Sequence, residues 1–277
     1  MNDKSIGIFD SGIGGLTVVR EVTNLLPDEK LVYFGDTARV PYGSKSPRVV
    51  REFALQDALF LSTKNIKAMI IACNTASAEA LELLQKEFDI PVIGVIKPGA
   101  SAAANVTKNG KIGVIGTYGT IASGAYKTEL LAVNSSLEVI SAACPLLVPL
   151  VEEGWESKEV TREILREYLS PLIDKNIDTL ILGCTHYPIL KQLIREVAGK
   201  EVALIDSAEA SAAELERILN DKGLDAAKGD SSIEHEYYVS DFPFKFKETA
   251  ERFLGEKLPE VELIPLDLLE SLLKKTT

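Results

Sequence analysis

KNIDTLILGCTH, Lys175–His186, repeats the plan of KNIKAMIIACNT, Lys64–Thr75, at a distance of 111 residues. Lys, Asn, two Ile and Cys coincide at five of the twelve positions. Each copy is an apolar run closed by a cysteine and then by polar residues. Two further pairs keep the same order: SIGIFDSG with KIGVIGTYG at an offset of 106, and PVIGV with VALID again at 111. Three matches in sequence describe a duplicated chain.

Working outward, the runs SIGIFD, KLVYFGD, AMIIACN, PVIGVI, KIGVIGT, LEVISAAC, TLILGC and EVALID are apolar throughout rather than alternating. That composition predicts strands buried on both faces, as in parallel sheets. Between them LTVVREVTNLL, PRVVREFALQDALFLSTKN, ASAEALELLQKEF and SKEVTREILREYLSPLIDKN carry apolar residues at helical spacing. Strand–helix alternation on this scale predicts an α/β protein. The duplication makes it two similar parallel-sheet α/β domains related by a pseudo-twofold axis, with the active site in the cleft between them. Ligands of such sheets gather at the carboxyl ends of the strands. The residues found there are Asp10 and Ser11, Asp36 and Thr37, Cys73 to Thr75, Thr117, and Cys184 to His186.

The 277 residues, 46% hydrophobic and 26% charged, suffice for a full core and two domains. No apolar stretch is long enough to cross a membrane, and MNDKSIGIFD is not a signal peptide, so the expected location is cytoplasmic. A net charge of −11 argues against a nucleic-acid surface. Cys73, Cys144 and Cys184 are odd in number and widely spaced, which fits neither a disulfide framework nor a zinc site. Cys73 precedes a strong helix pattern and Cys184 precedes Pro188, so each thiol is expected near a helix start, where the backbone dipole favours thiolate. Cys144 is expected in the core, His235 on the surface, and Trp155 in packing. DSGIGG invites a phosphate-loop reading, but Thr17 stands where a dinucleotide fingerprint needs Gly or Ala, and no Walker A sequence occurs.

Two acid–base groups on opposite faces of one small molecule suit inversion of a stereocentre by proton transfer. FDSGIGG (Phe9–Gly15), GDTARVPYGSKS (Gly35–Ser46), ACNTAS (Ala72–Ser77), CPLLVPLVEEG (Cys144–Gly154) and GCTHYP (Gly183–Pro188) together resemble the glutamate racemases of the aspartate/glutamate racemase superfamily. The resemblance implies cofactor-independent interconversion of L- and D-glutamate, supplying D-glutamate for peptidoglycan. It implies Cys73 and Cys184 as the catalytic pair, Cys73 serving D-glutamate and Cys184 L-glutamate. Asp10, Asp36, Glu152 and His186 match polar positions that assist the thiols. Asp10, Ser11, Pro41, Tyr42, Gly43, Ser44, Asn74, Thr75, Thr117, Thr185 and His186 make up the substrate-binding set, with no metal. The family's architecture also implies that the chain returns to its first half after Asp206, giving domains of 1–97 with 207–277 and of 98–206, with EYYVS and VELIPL as added strands. The expected partner is glutamate, with no nucleic acid and no membrane; a homodimer is compatible with the sequence and not required by it. The competing readings are a single-cysteine hydrolase or redox enzyme, a duplicated binding module without catalysis, and, within the superfamily, an aspartate racemase.

Overall fold

The protein is described here by a computed structural model, which places residues 4–227, 233–255 and 257–276. Residues 1–3, 228–232, 256 and 277, which fall inside the expected domain ranges, lie outside the described residues.

The strands are β1 (Ser5–Asp10), β2 (Leu31–Gly35), β3 (Ile66–Ile71), β4 (Val92–Gly94), β5 (Lys111–Gly116), β6 (Glu138–Ala143), β7 (Thr179–Gly183), β8 (Ala203–Asp206), β9 (Glu236–Val239) and β10 (Val261–Leu263). Helices α1 (Leu16–Leu25), α2 (Pro47–Ser62), α3 (Asn74–Glu87) and α4 (Ile96–Val106) belong to the first stretch of chain. They are followed by α5 (Tyr118–Ala122), α6 (Ala125–Val133), α7 (Leu147–Glu152), α8 (Glu159–Ile173) and α9 (Lys191–Ala198). Then come α10 (Ser207–Lys222), α11 (Pro243–Leu254) and α12 (Leu266–Thr276).

Among the described residues, ten strands form two sheets, and every pairing is parallel. The first sheet has the order β10-β9-β2-β1-β3-β4 and the second β6-β5-β7-β8. Remove β9 and β10, and the two orders are the same: second, first, third, fourth. The duplication read from KNIKAMIIACNT and KNIDTLILGCTH is therefore a duplication of topology. In both sheets the strand that leads to the cysteine, β3 or β7, lies directly beside the first strand of its half.

Local chemistry explains the boundaries. Pro47 opens α2 at a position where its missing N–H costs nothing. Asp206 caps α10 by accepting from the Ala208 N–H at 2.9 Å, and Gly223 ends that helix in the left-handed region. Strands β1, β2, β3 and β7 are fully buried, as their unbroken Ile, Val and Leu content requires. One apolar cluster runs from Ile8 and Val19 to Leu182 and Leu215, so the two halves share a core.

Two expectations need correction. LEVISAAC was expected to be buried on both faces, yet every residue of β6 is half-buried or exposed. It is one of the two edge strands of the second sheet, so Val139 and Ile140 are only half covered. His235 is not a solvated surface residue: it is half-buried, and its Nδ1 accepts from the Leu31 N–H at 3.3 Å. Cys144 is fully buried in the core.

Candidate active site

A strand order of 2-1-3-4 has its topological switch point between the first and third strands, where diverging connections leave a crevice. Both switch points open on one cavity of about 40 Å³. Its walls come from the loop after β1 (Ser11, Gly12), the turn Val40–Gly43, the start of α3 (Cys73, Asn74, Thr75), the start of α5 (Thr117) and the loop after β7 (Cys184, Thr185, His186), with Val148 and Glu152 of α7. Cys73 and Cys184 thus reach one space from different sheets, each only 6% exposed. Among the described residues, no lysine or arginine lines the cavity. Negative groups held there must be met by backbone N–H groups, hydroxyls and His186.

On the second-half side, His186 bridges two acids. Its Nδ1 lies 3.9 Å from Cys184 Sγ, and its Nε2 lies 3.1 Å from Glu152 Oε1. Burial alone would lower the imidazole pKa. The hydrogen bonds and charges of Cys184 and Glu152 outweigh that and push it up to about 10. Burial of Glu152 would raise its carboxyl, but the bond to His186 and its positive charge hold it below the ordinary carboxylate range. The result is an imidazolium aimed at a thiol, placed to compensate negative charge on Cys184 Sγ.

On the first-half side, Cys73 is the N-cap of α3, and its Sγ accepts from the Ala76 N–H at 3.5 Å. The expected helix-start position is correct, but its expected consequence is not. Burial dominates, the nearby Asp10 adds to it, and together they push the Cys73 thiol up to about 12 against the bonds from Ala76 and Ser11. The two cysteines therefore meet different surroundings despite their equivalent strands. Asp10 is fully buried, accepting from the Gly12 N–H at 3.0 Å and from Thr185 Oγ1 at 3.4 Å. Burial raises its carboxyl, while the charge of His186 opposes the rise.

The remaining expected residues separate into those at the wall and those behind it. Thr75, Thr117 and a residue the sequence reading missed, Thr120, form a triangle of hydroxyls with oxygens 2.9–3.1 Å apart, across the two halves. Of the three, Thr75 and Thr117 line the cavity and can turn their hydroxyls toward a carboxylate there, with Thr120 behind them. Asn74 Oδ1 accepts from Tyr126 Oη at 2.7 Å, a second missed partner. Thr17, also missed, shares its hydroxyl proton between the Gly14 and Thr185 carbonyls. Pro41, Tyr42 and Gly43 are at the wall. Ser44 is exposed, its Oγ 3.4 Å from the Pro41 carbonyl, and does not line the cavity. Asp36 stands behind the wall, fully buried, bonded to Arg39 and Ser240 rather than to either thiol.

With that geometry in view, comparison with known proteins is decisive. Residues 14–215 match the Asp/Glu/hydantoin racemase family. A glutamate racemase of Geobacter metallireducens is 52% identical over 264 residues, 95% of this chain and 97% of that one. The chain belongs to the glutamate racemase family. Among solved structures, glutamate racemase isoform RacE1 of Bacillus anthracis superposes with a TM-score of 0.92 at 44% identity, covering 95% of this chain and 98% of that one. The Francisella tularensis glutamate racemase, solved in complex with D-glutamate, gives 0.90 at 42% identity over 96% and 99%.

The glycines of the family motif FDSGIGG serve close approach rather than phosphate binding. A Cβ on Gly14 would land on Thr185 Oγ1 and on the ring of His186, and one on Gly15 would meet Asp10 Cβ at 2.5 Å. Gly14→Ala must push the Cys184 loop outward. It is expected to cost about 1–3 kcal/mol of stability by overpacking and roughly tenfold or more in activity through misplaced groups. Thermal unfolding and racemisation rates measured together check it; an unshifted rate would mean that the loop yields without consequence.

Glu152→Gln tests the imidazolium. The amide keeps an acceptor for His186 but removes the charge, so the His186 pKa is expected to fall from about 10 toward the ordinary histidine range. In the parent, His186 contributes stability that is fully present below about 6.5 and is lost as pH rises through about 10. In the variant that contribution is smaller and is fully lost at a lower pH, and racemisation drops on the order of tenfold. With two histidines in the chain, an NMR titration resolves His186 directly, and an unmoved titration would remove Glu152 from the account.

Proposed function

We infer that the chain interconverts L- and D-glutamate by moving the Cα proton between Cys184 and Cys73. The observation that carries this reading is the convergence of one thiol from each half on a single cavity, each thiol only 6% exposed. For L-glutamate, Cys184 Sγ takes the proton from one face, with the His186 imidazolium beside it. Cys73, held as a thiol by its burial, delivers a proton to the other face. The roles reverse for D-glutamate. The start of α3, Ser11, Asn74 and the hydroxyl triangle at Thr75 supply N–H and O–H donors for carboxylates, and Asp10 supplies negative charge on the ammonium side. Exclusion of water strengthens each of these interactions.

No metal or pyridoxal phosphate enters this chemistry, and activity is expected to survive dialysis against chelator. The chain divides in this reading into 1–97 with 207–277 and 98–206. Free thiols at Cys73, Cys144 and Cys184 suit the reducing cytoplasm, where the product D-glutamate would supply peptidoglycan synthesis. The exposed Phe242 and Phe244 are consistent with assembly as a homodimer, which sedimentation tests.

Incubation with L-glutamate, read by optical rotation, tests the whole reading. Glutamate is expected to exceed aspartate in kcat/KM by about a hundredfold, as for a site that must place a second carboxylate. Comparable rates would move the chain to a broader-specificity branch, and binding without α-proton exchange would leave a binding module.

A further inference from the structure

Behind the cavity wall, and reaching it at Tyr42, lies a buried polar cluster whose other members do not line the cavity. Its members are Asp36, Arg39, Tyr42, Gln56, Asp57 and Ser240. Asp36 and Asp57 are fully buried, Tyr42 is 1% exposed, and the Arg39 side chain is 11% exposed. Arg39 is held on three sides: Nε donates to Asp36 Oδ2 at 2.6 Å, Nη1 to Gln56 Oε1 at 2.5 Å, and Nη2 to Asp57 Oδ1 at 3.0 Å. Ser240 Oγ donates to Asp36 Oδ1 at 2.8 Å. Tyr42 Oη sits between the carboxylates, bonded to Asp36 Oδ2 and 2.8 Å from Asp57 Oδ2.

The hydrogens do not add up if both acids are ionised. Tyr42 has one hydroxyl proton, and it faces two carboxylate oxygens at bonding distance. One of these contacts needs a second proton. Asp36 is already met by three donors, from Arg39, Tyr42 and Ser240, and so is suited to the charged form. Asp57 Oδ2 meets only the Tyr42 oxygen. Charge counting agrees, because one guanidinium balances one carboxylate, whereas a second buried anion would stand uncompensated.

We propose that Asp57 is a positioning residue that carries a proton, donating it to Tyr42 Oη, while Tyr42 donates to a charged Asp36, and that this relay fixes the Pro41–Gly43 wall of the substrate cavity. Burial and the neighbouring Asp36 carboxylate both push the Asp57 carboxyl upward against Arg39 and Tyr42, in the same direction as the proton count. The wall matters because it bridges the halves: a Cβ on Gly43 would strike Thr117 Cβ at 2.5 Å, so the turn packs directly on the start of α5. Whatever holds Tyr42 sets the spacing across the substrate.

The activity arm rests on the glutamate racemase reading, and the spectroscopic arm does not. Asn in place of Asp57 reproduces the proposed form, its Oδ1 accepting from Arg39 and its Nδ2–H donating to Tyr42. Asp57→Asn is expected to keep kcat/KM within about threefold, whereas Asp57→Ala and Asp36→Asn lose about tenfold or more, chiefly through KM. Infrared difference spectra of the folded, substrate-free protein at about pH 8, well above the ordinary carboxylate range, should show a carboxylic-acid C=O band that Asp57→Asn removes. Should Asp57→Ala fail to fold, the Asn variant and the band still decide. Absence of the band, or Asp57→Asn as damaging as Asp36→Asn, overturns the proposal. An inactive wild type that shows the band would count against the racemase reading alone.

Discussion

Cys73→Ser and Cys184→Ser are each expected to abolish racemisation in both directions, by about 10³-fold or more. The substitution is close to isosteric, so the hydroxyl introduced by Cys73→Ser can still cap α3 through the Ala76 N–H, and the packing around either site changes little. What changes is acidity. A serine hydroxyl is far too weak an acid to supply base or conjugate acid near neutral pH, and with two groups acting in series the loss of one stops turnover whichever enantiomer is offered. Cys144→Ser is the matched control. Cys144 is as buried as the pair, but its sulfur lies 3.7 Å from the Ala142 carbonyl, outside the cavity lining. Its replacement should leave activity nearly intact. Circular dichroism would separate lost chemistry from lost fold. Substantial racemisation in either of the first two variants would return those cysteines to the status of buried small hydrophobes and favour a different base.

Much of this was legible because the fold writes itself at strand ends. An apolar run that stops at Cys-Asn-Thr or Cys-Thr-His announces both a buried strand and the place where its ligand-facing loop begins. The repeat at 111 residues then carries the equivalence of β3 and β7, and with it the meeting of Cys73 and Cys184. Thr120 and Tyr126 were not visible, because their partners Thr75 and Asn74 lie 45 and 52 residues away. No local pattern encodes a contact across two halves. The thiol environment was misread at Cys73 for an energetic reason: sequence shows the helix start but not the depth of burial, and here burial prevails. Asp57 left a trace that can be used elsewhere. In ALQDALF the adjacent Gln56 and Asp57 fall on the buried side of α2, and a polar pair there has to find partners.

In D₂O, L-glutamate is expected to yield D-glutamate that carries deuterium at Cα in nearly every molecule, while L-glutamate recovered early stays largely unlabelled. The argument follows the two thiols. Before substrate binds, Cys73 exchanges with solvent and becomes S–D. Once the cavity is filled, Cys184 removes the substrate's protium and Cys73 delivers deuterium to the opposite face, so the atom removed is never the atom returned. Reversal before product forms hands the original protium back from Cys184, because the cysteines are almost fully buried and bound substrate shields them from exchanging water. Starting from D-glutamate, the pattern should invert, with Cys73 as base. A single base serving both faces would carry protium across into product, or would label substrate and product at similar rates. Chiral separation followed by mass spectrometry at low conversion reads the two pools independently. Protium retained in most of the D-glutamate would break the link between duplicated strands and divided chemistry, even if both cysteine variants proved inactive.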